Sequence, residues 1–208
     1  MNWTVNDVIQ WIEKANEKIQ TNKQYLTQLD QAVGDGDHGI NMSRGFRILV
    51  EKLQDTEYTS VTQALKDVAM TIISNVGGAA GPLYGTAFLR FSLVTDNKKE
   101  LDETTLSKGM VAAVSGMKQR GRAAVGEKTL IDVWEPVAVY MEEAEMIAPD
   151  QIIKIAEQAM ESTKEIKATK GRAAYLKDRS IGHIDPGAMS SYYILTAFAE
   201  VLQGADAS

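Results

Sequence analysis

Thr4-Val5-Asn6-Asp7-Val8-Ile9-Gln10-Trp11-Ile12-Glu13-Lys14-Ala15-Asn16-Glu17-Lys18-Ile19 is the stretch from which the fold can be read. Val5, Val8, Ile9, Ile12 and Ile19 recur at the spacing that gathers them on one helix face, and Thr4 is placed to cap its start. The same period returns over 24–32, 40–53, 61–76, 83–94, 106–117, 130–144, 151–167 and 188–202, with ends placed to within about 2 to 4 residues. These segments make roughly nine helices, and no alternating pattern marks a strand. The expected fold class is all-α. Pro82, Pro149 and Pro186 each stand where a helix begins, at the first helical position, where a missing N–H costs nothing.

Composition narrows the function classes. The 208 residues are 44% hydrophobic and 24% charged, ordinary for a globular chain, and a single domain over 1–208 is expected because no linker interrupts it. Lys and Arg total 22 against 28 Asp and Glu, a net charge of −6 that suits a nucleic-acid surface poorly. With no cysteine there is neither a disulfide framework nor a thiolate nucleophile, which fits a reducing, cytoplasmic setting. No run approaches the ~18 apolar residues of a membrane span, and the first twenty residues do not read as a signal peptide.

Glycines collect at four connections: Gly34, Gly36 and Gly39; Gly77, Gly78, Gly81 and Gly85; Gly121 and Gly126; Gly182 and Gly187. They either end helices or let backbone N–H groups approach a ligand. The first connection also carries Asp30, Asp35 and Asp37, three carboxylates within eight residues. Oxygen-only ligands favour magnesium or calcium. An EF-hand starting at Asp35 would need Glu at position 46, where Phe46 stands, so magnesium shared with substrate phosphates is the natural metal reading. The competing reading makes Asp35 and Asp37 turn formers and leaves Asp30 solvated.

Gly77-Gly78-Ala79-Ala80-Gly81-Pro82 lacks the Lys-[Ser/Thr] ending of a P-loop and the strand of a dinucleotide fingerprint. It is nonetheless a small-residue turn entering a helix, where free N–H groups and the positive dipole end favour a phosphate. Asp185 before Pro186 reads as an N-cap, and Thr129 with Asp132 as a capping box. Arg179 serves either as a phosphate ligand or as a surface ion pair, and Lys118, Arg120 and Arg122 either steer an anion or form a solvated face. Trp134 falls on an apolar stripe with Ile131, Val137 and Ala138 and belongs to the core.

Taken in order, Gly-Asp-Gly-Asp-His-Gly (34–39), Gly-Gly-x-x-Gly-Pro-Leu-Tyr-Gly-Thr (77–86), Gly-Glu-Lys-Thr-Leu-Ile-Asp-Val-Trp (126–134) and Arg-Ser-Ile-Gly-His-x-Asp-Pro-Gly (179–187) resemble the nucleotide-binding L subunits of bacterial dihydroxyacetone kinases. The resemblance covers nearly the whole chain. It implies a barrel or bundle of about eight antiparallel amphipathic helices, with the nucleotide in the loops at one end. It further implies that Asp30, Asp35 and Asp37 hold two Mg²⁺ ions against ADP or ATP, with His38 and Asn41 beside the phosphates and Gly78, Ala79 and Ala80 forming the anion turn. Gly121 and Leu130 would border adenine and ribose, and Arg179 with Asp185, Pro186 and Gly187 would close the pocket. Many relatives carry serine where this chain has Ala80, so only a backbone N–H is available there.

In such systems a K subunit holds dihydroxyacetone on a histidine and receives the phosphoryl group from ATP on the L subunit. A phosphohistidine-carrying M subunit of the sugar phosphotransferase system then recharges the ADP in place. The chain's length implies a separate subunit of this kind. Two alternatives accompany the resemblance: a nucleotide-loaded protein that signals to a transcription regulator, and the nucleotide domain of a fatty-acid-kinase-like system.

Overall fold

The computed structural model describes residues 2–206. In chain order the elements are β1 (Trp3–Thr4), α1 (Val5–Thr21), α2 (Lys23–Val33), α3 (His38–Gln54), α4 (Val61–Asn75), α5 (Ala80–Leu93), β2 (Glu100–Leu101), α6 (Glu103–Gly121), α7 (Ile131–Glu143), α8 (Pro149–Ser162) and α9 (Pro186–Asp206). A 3₁₀ segment, Arg172–Ser180, precedes α9. All nine expected helices are present. The Asp7 carboxylate accepts the Thr4 N–H at 2.7 Å and its hydroxyl at 2.6 Å, closing the first turn of α1 as the sequence leads one to expect.

Eight helices pack in a closed cyclic order: α1 against α3, then α4, α5, α6, α7, α8 and α9, which returns to α1; α2 lies outside, against α3 and α9. Inside the ring, Trp11 meets Phe88, Phe91, Phe198 and Trp3 at centroid separations of 4.9–6.3 Å. Its indole N–H donates to the Ile194 carbonyl at 2.8 Å, so the one polar atom of this buried ring is satisfied. Truncating a fully buried aromatic of this kind to Ala costs about 3–5 kcal/mol. The α4–α5 contact is close because Gly81 and Gly85 carry no side chain: a Cβ on Gly81 would fall 2.2 Å from the Val76 carbonyl oxygen, and one on Gly85 2.3 Å from Ile73. Trp134 is buried, as its stripe requires.

Four details differ from the sequence reading. The β1–β2 antiparallel pair, Trp3 opposite Leu101 and Thr4 opposite Glu100, is two residues long, too short for alternation to register. The helix expected over 151–167 stops at Ser162, beyond which the N–H groups of residues 163–166 bond to carbonyls three residues back instead of four. Pro82 is the third residue of α5 rather than its first, still within the turn whose N–H groups lack helical acceptors. The 3₁₀ segment carries no helical periodicity and is interrupted at Lys177, where φ is 53°.

Candidate nucleotide and metal site

One end of the ring encloses a cavity of about 520 Å³, within the usual range for a small-molecule site. Around it the helix ends alternate. His38 opens α3, the turn after α4 supplies Gly77 and Gly78, Ala80 opens α5, Gly121 closes α6, Ile131 opens α7, the strap after α8 supplies Lys170 to Ala173, and Pro186 opens α9. Successive helices of this part of the ring therefore run antiparallel. Four N-termini, those of α3, α5, α7 and α9, bring their positive dipole ends to one space, which favours a polyanion.

The acidic loop leads into the first of them, with Asp37 at the N-cap of α3. Asp30, on the last turn of α2, is buried, and its Oδ2 accepts the backbone N–H groups of Asp37 at 2.9 Å and His38 at 3.0 Å. Gly36 turns the loop with a φ of 76°. As a result one carboxylate oxygen from each of Asp30, Asp35 and Asp37 lies within 4.8 Å of the other two. That oxygen-only set, one member fixed by hydrogen bonds and two borne on the loop, fits a hard divalent cation shared with phosphate. Arg172 Nη1 reaches Asp35 Oδ2 at 2.6 Å, from a strap whose Ala173 packs on Val33 at the end of α2.

The His38 ring sits with Nε2 2.9 Å from Ser190 Oγ, and that hydroxyl in turn lies 2.7 Å from the buried Tyr84 hydroxyl. Burial pushes the His38 pKa down, against the opposing pull of Asp30 and Asp37. Beside it, Gly78 has a φ of 68° and nothing within 4 Å of where a Cβ would stand, an open backbone turn leading to Ala79 and Ala80. On the other side Leu130 meets Gly187, whose added Cβ would stand 3.5 Å from the leucine's. Asp185 caps α9, accepting the Ala188 N–H at 2.8 Å, and burial pushes its carboxyl up to about 7. Asp132 accepts the Thr129 N–H at 2.6 Å and, on its other oxygen, the Gly126 N–H at 2.6 Å, so the capping box also fixes the loop before α7.

Asp30, Asp35, Asp37, His38, Gly78, Ala79, Ala80, Gly121, Leu130, Asp185, Pro186 and Gly187 all line the cavity. Asn41 and Arg179 do not. Asn41 stands one layer behind, its amide where a Cβ on Gly77 would be and its Oδ1 accepting Arg44 at 3.0 Å. Arg179 is exposed because the next residue, Ser180, is the buried anchor of the segment, accepting the Ala168 N–H at 2.9 Å. The cations in the wall are Arg120, Lys128, Lys170 and Arg172. Of these, Lys128, Lys170 and Arg172 were given no role from the sequence, where Gly171 between the last two is the one local sign of a turn.

A helical ring with an oxygen-ligand cluster beside converging helix N-termini has the architecture to hold a metal–polyphosphate complex. The chain belongs to the DAK2 domain family, whose model matches residues 32–200. It is 46% identical to the ADP-binding subunit DhaL of PEP-dependent dihydroxyacetone kinase 1 from Listeria innocua, over 92% of this chain and 94% of that subunit. Against the corresponding DhaL subunits of Lactococcus lactis and Escherichia coli it is 42% and 38% identical, over 96% of this chain and 98% of each of theirs. The dihydroxyacetone kinase of C. freundii in complex with AMP-PNP and Mg²⁺ superposes with a TM-score of 0.74 at 21% identity. That match covers 93% of this chain but only 33% of the kinase, and it speaks for the fold alone. Among the described residues no helix is long and apolar enough to cross a membrane.

Proposed function

We propose that this chain is the ADP/ATP-binding phosphotransfer subunit of a phosphoenolpyruvate-dependent dihydroxyacetone kinase acting in the cytoplasm. The observation that carries the reading is the meeting, in one cavity, of the Asp30–Asp35–Asp37 cluster with the N-termini of α3, α5, α7 and α9. The DhaL relatives, alike over nearly their full length, support it and favour it over the regulatory and fatty-acid-kinase readings.

In this proposal Asp30, Asp35 and Asp37 hold two Mg²⁺ ions, and the Gly78–Ala80 turn receives phosphate oxygens on backbone N–H groups. Leu130, Gly121 and Gly187 flank the adenosine. Bound magnesium supplies charge neutralisation at the phosphate oxygens. The protein adds no nucleophile of its own; it orients the phosphate chain and keeps donor and acceptor in line, which is most of what phosphoryl transfer requires. The terminal phosphoryl group passes from ATP to a hydroxyl of dihydroxyacetone on the K subunit, leaving ADP. Phosphohistidine on the M subunit then returns a phosphoryl group to that ADP, so the nucleotide is a cofactor rather than a consumed substrate.

The test is reconstitution. Mixing the chain with K and M subunits, the general phosphotransferase proteins, phosphoenolpyruvate and magnesium should yield dihydroxyacetone phosphate at a rate that depends on all components. Absence of turnover with folded, nucleotide-loaded protein would count against the catalytic assignment.

A further inference from the structure

Lys128 lines the cavity yet is 1% exposed, and its backbone is held at a φ of 63°, a conformation that a long side chain rarely adopts. The cause is visible in what the ammonium touches. Nζ donates to the carbonyl oxygens of Thr163 at 2.6 Å and Ile166 at 3.2 Å, just beyond the end of α8, and to that of His183, in the loop before α9. An ammonium has three N–H donors, and all three are used on main-chain carbonyls. None is left for a phosphate, so Lys128 is not a ligand in this arrangement, and burying it uncompensated would be very unfavourable.

Neighbouring bonds show what the three carbonyls belong to. The Asp185 N–H donates to Thr163 Oγ1 at 3.1 Å and the Gly182 N–H to the Lys164 carbonyl at 2.8 Å, so the 182–185 loop and the end of α8 form one body. Glu127 holds the next part of the strap: its carbonyl accepts the Thr169 N–H at 3.3 Å and its carboxylate the Thr169 hydroxyl at 3.1 Å. The Gly126–Thr129 loop is thus the clasp of a strap running from 163 to 185, and Lys128 is its buried pin.

We propose that Lys128 is a positioning residue for the nucleotide: it fixes the strap that leads into Asp185-Pro186-Gly187 against the loop that carries Leu130, and so sets the width of the adenosine end of the cavity. The proposal rests on the nucleotide reading above. It separates binding from chemistry, because the Asp30–Asp35–Asp37 cluster and the Gly78–Ala80 turn hold no bond to the Lys128 ammonium.

The experiment compares wild type with Lys128→Met by calorimetric titration of ADP with magnesium, by hydrogen exchange, and by kcat at saturating nucleotide in the reconstituted system. For Lys128→Met the ADP dissociation constant should rise at least about tenfold while kcat at saturation stays within about threefold. Exchange protection should fall at Thr169, Gly182 and Asp185 and hold in α1, α4 and α5. A folded variant that binds ADP within about twofold of wild type would overturn the proposal, as would a fall in kcat at saturation with no change in affinity. Should Lys128→Met not fold, the same comparison is made with Lys128→Arg, whose planar fork keeps the charge but cannot serve three diverging carbonyls. Failure of the wild type itself to bind ADP would overturn the nucleotide reading, while the exchange data would still report on the clasp.

Discussion

Asp30 Oδ2 lies 2.9 Å from the backbone nitrogen of Asp37 and accepts its N–H, so the buried carboxylate of the acidic cluster also shapes the loop that presents another of its members. The three carboxylates therefore differ in what their removal does. Asp30→Ala strands two N–H groups and should lower stability by about 1–3 kcal/mol in addition to abolishing phosphoryl transfer. Asp35→Asn and Asp37→Asn should abolish transfer while leaving the melting temperature of the nucleotide-free protein unchanged or higher, since they relieve like-charge repulsion. Thermal melts alongside activity check this, and near wild-type activity in either Asn variant would sink the metal assignment.

The Arg172–Asp35 pair joins the strap to the acidic loop through exposed side chains, so its direct worth to stability is under about 1 kcal/mol. Its guanidinium is the one in the strap wall, and a metal ion on Asp35 would free it for the phosphates. Arg172→Gln should leave the melting temperature of the nucleotide-free protein within a degree or two, by the same estimate, and weaken ADP–magnesium binding about tenfold. Arg179→Gln, exposed and outside the wall, should weaken it less in the isolated subunit. Titration calorimetry on the two variants checks the ordering, and a reversed order would assign the phosphate contact to Arg179 instead of Arg172.

Asp185 gives a pH prediction. Its folded carboxyl titrates near 7 against an ordinary 3.8, so between these values the folded state keeps a proton that the unfolded chain has lost. Its contribution to stability accordingly falls as pH rises from about 4 to about 7 and stays low above that. Asp185→Asn keeps an oxygen for the Ala188 N–H. The nucleotide-free variant should therefore melt higher than wild type at pH 8 and close to it at pH 4. Equal melting temperatures at pH 8 would contradict a buried, costly carboxylate.

Much of this was legible in the sequence because it depends on local pattern. The helices followed from apolar period, the acidic cluster from three aspartates within eight residues, and the open turn at Gly78 from small residues before α5. What escaped notice depends on partners far apart in the chain. Lys128 has main-chain acceptors 35, 38 and 55 residues away, and a lysine in a glycine-bearing loop gives no local sign of burial. The same holds for Arg172, whose partner Asp35 lies in the loop after α2, far away in the chain. Arg179, read from the sequence as a phosphate ligand or a surface ion pair, stands exposed outside the cavity wall beside the buried Ser180.

Donor and acceptor must both reach one terminal phosphate in line, so K and M subunits should dock over the same rim, near Asp37, Gly78, Gly121 and Arg179. Labelled M subunit should be displaced by K subunit in a competition titration, and a stable ternary complex would refute the shared surface. Arg120 and Arg122, exposed at the end of α6, should chiefly set association rate. Charge removal at both should slow docking several-fold, to about the rate wild type shows at high salt, with kcat little changed.

The central claim, that this cavity holds a nucleoside diphosphate through magnesium on Asp30, Asp35 and Asp37, is tested most directly by native mass spectrometry of the protein incubated with ADP and Mg²⁺. The account predicts a dominant species heavier than the bare chain by one ADP and two magnesium ions, returned to the bare mass by a chelator and absent in Asp37→Asn. A spectrum showing only the bare chain, or ADP retained equally after chelation and in Asp37→Asn, would contradict it.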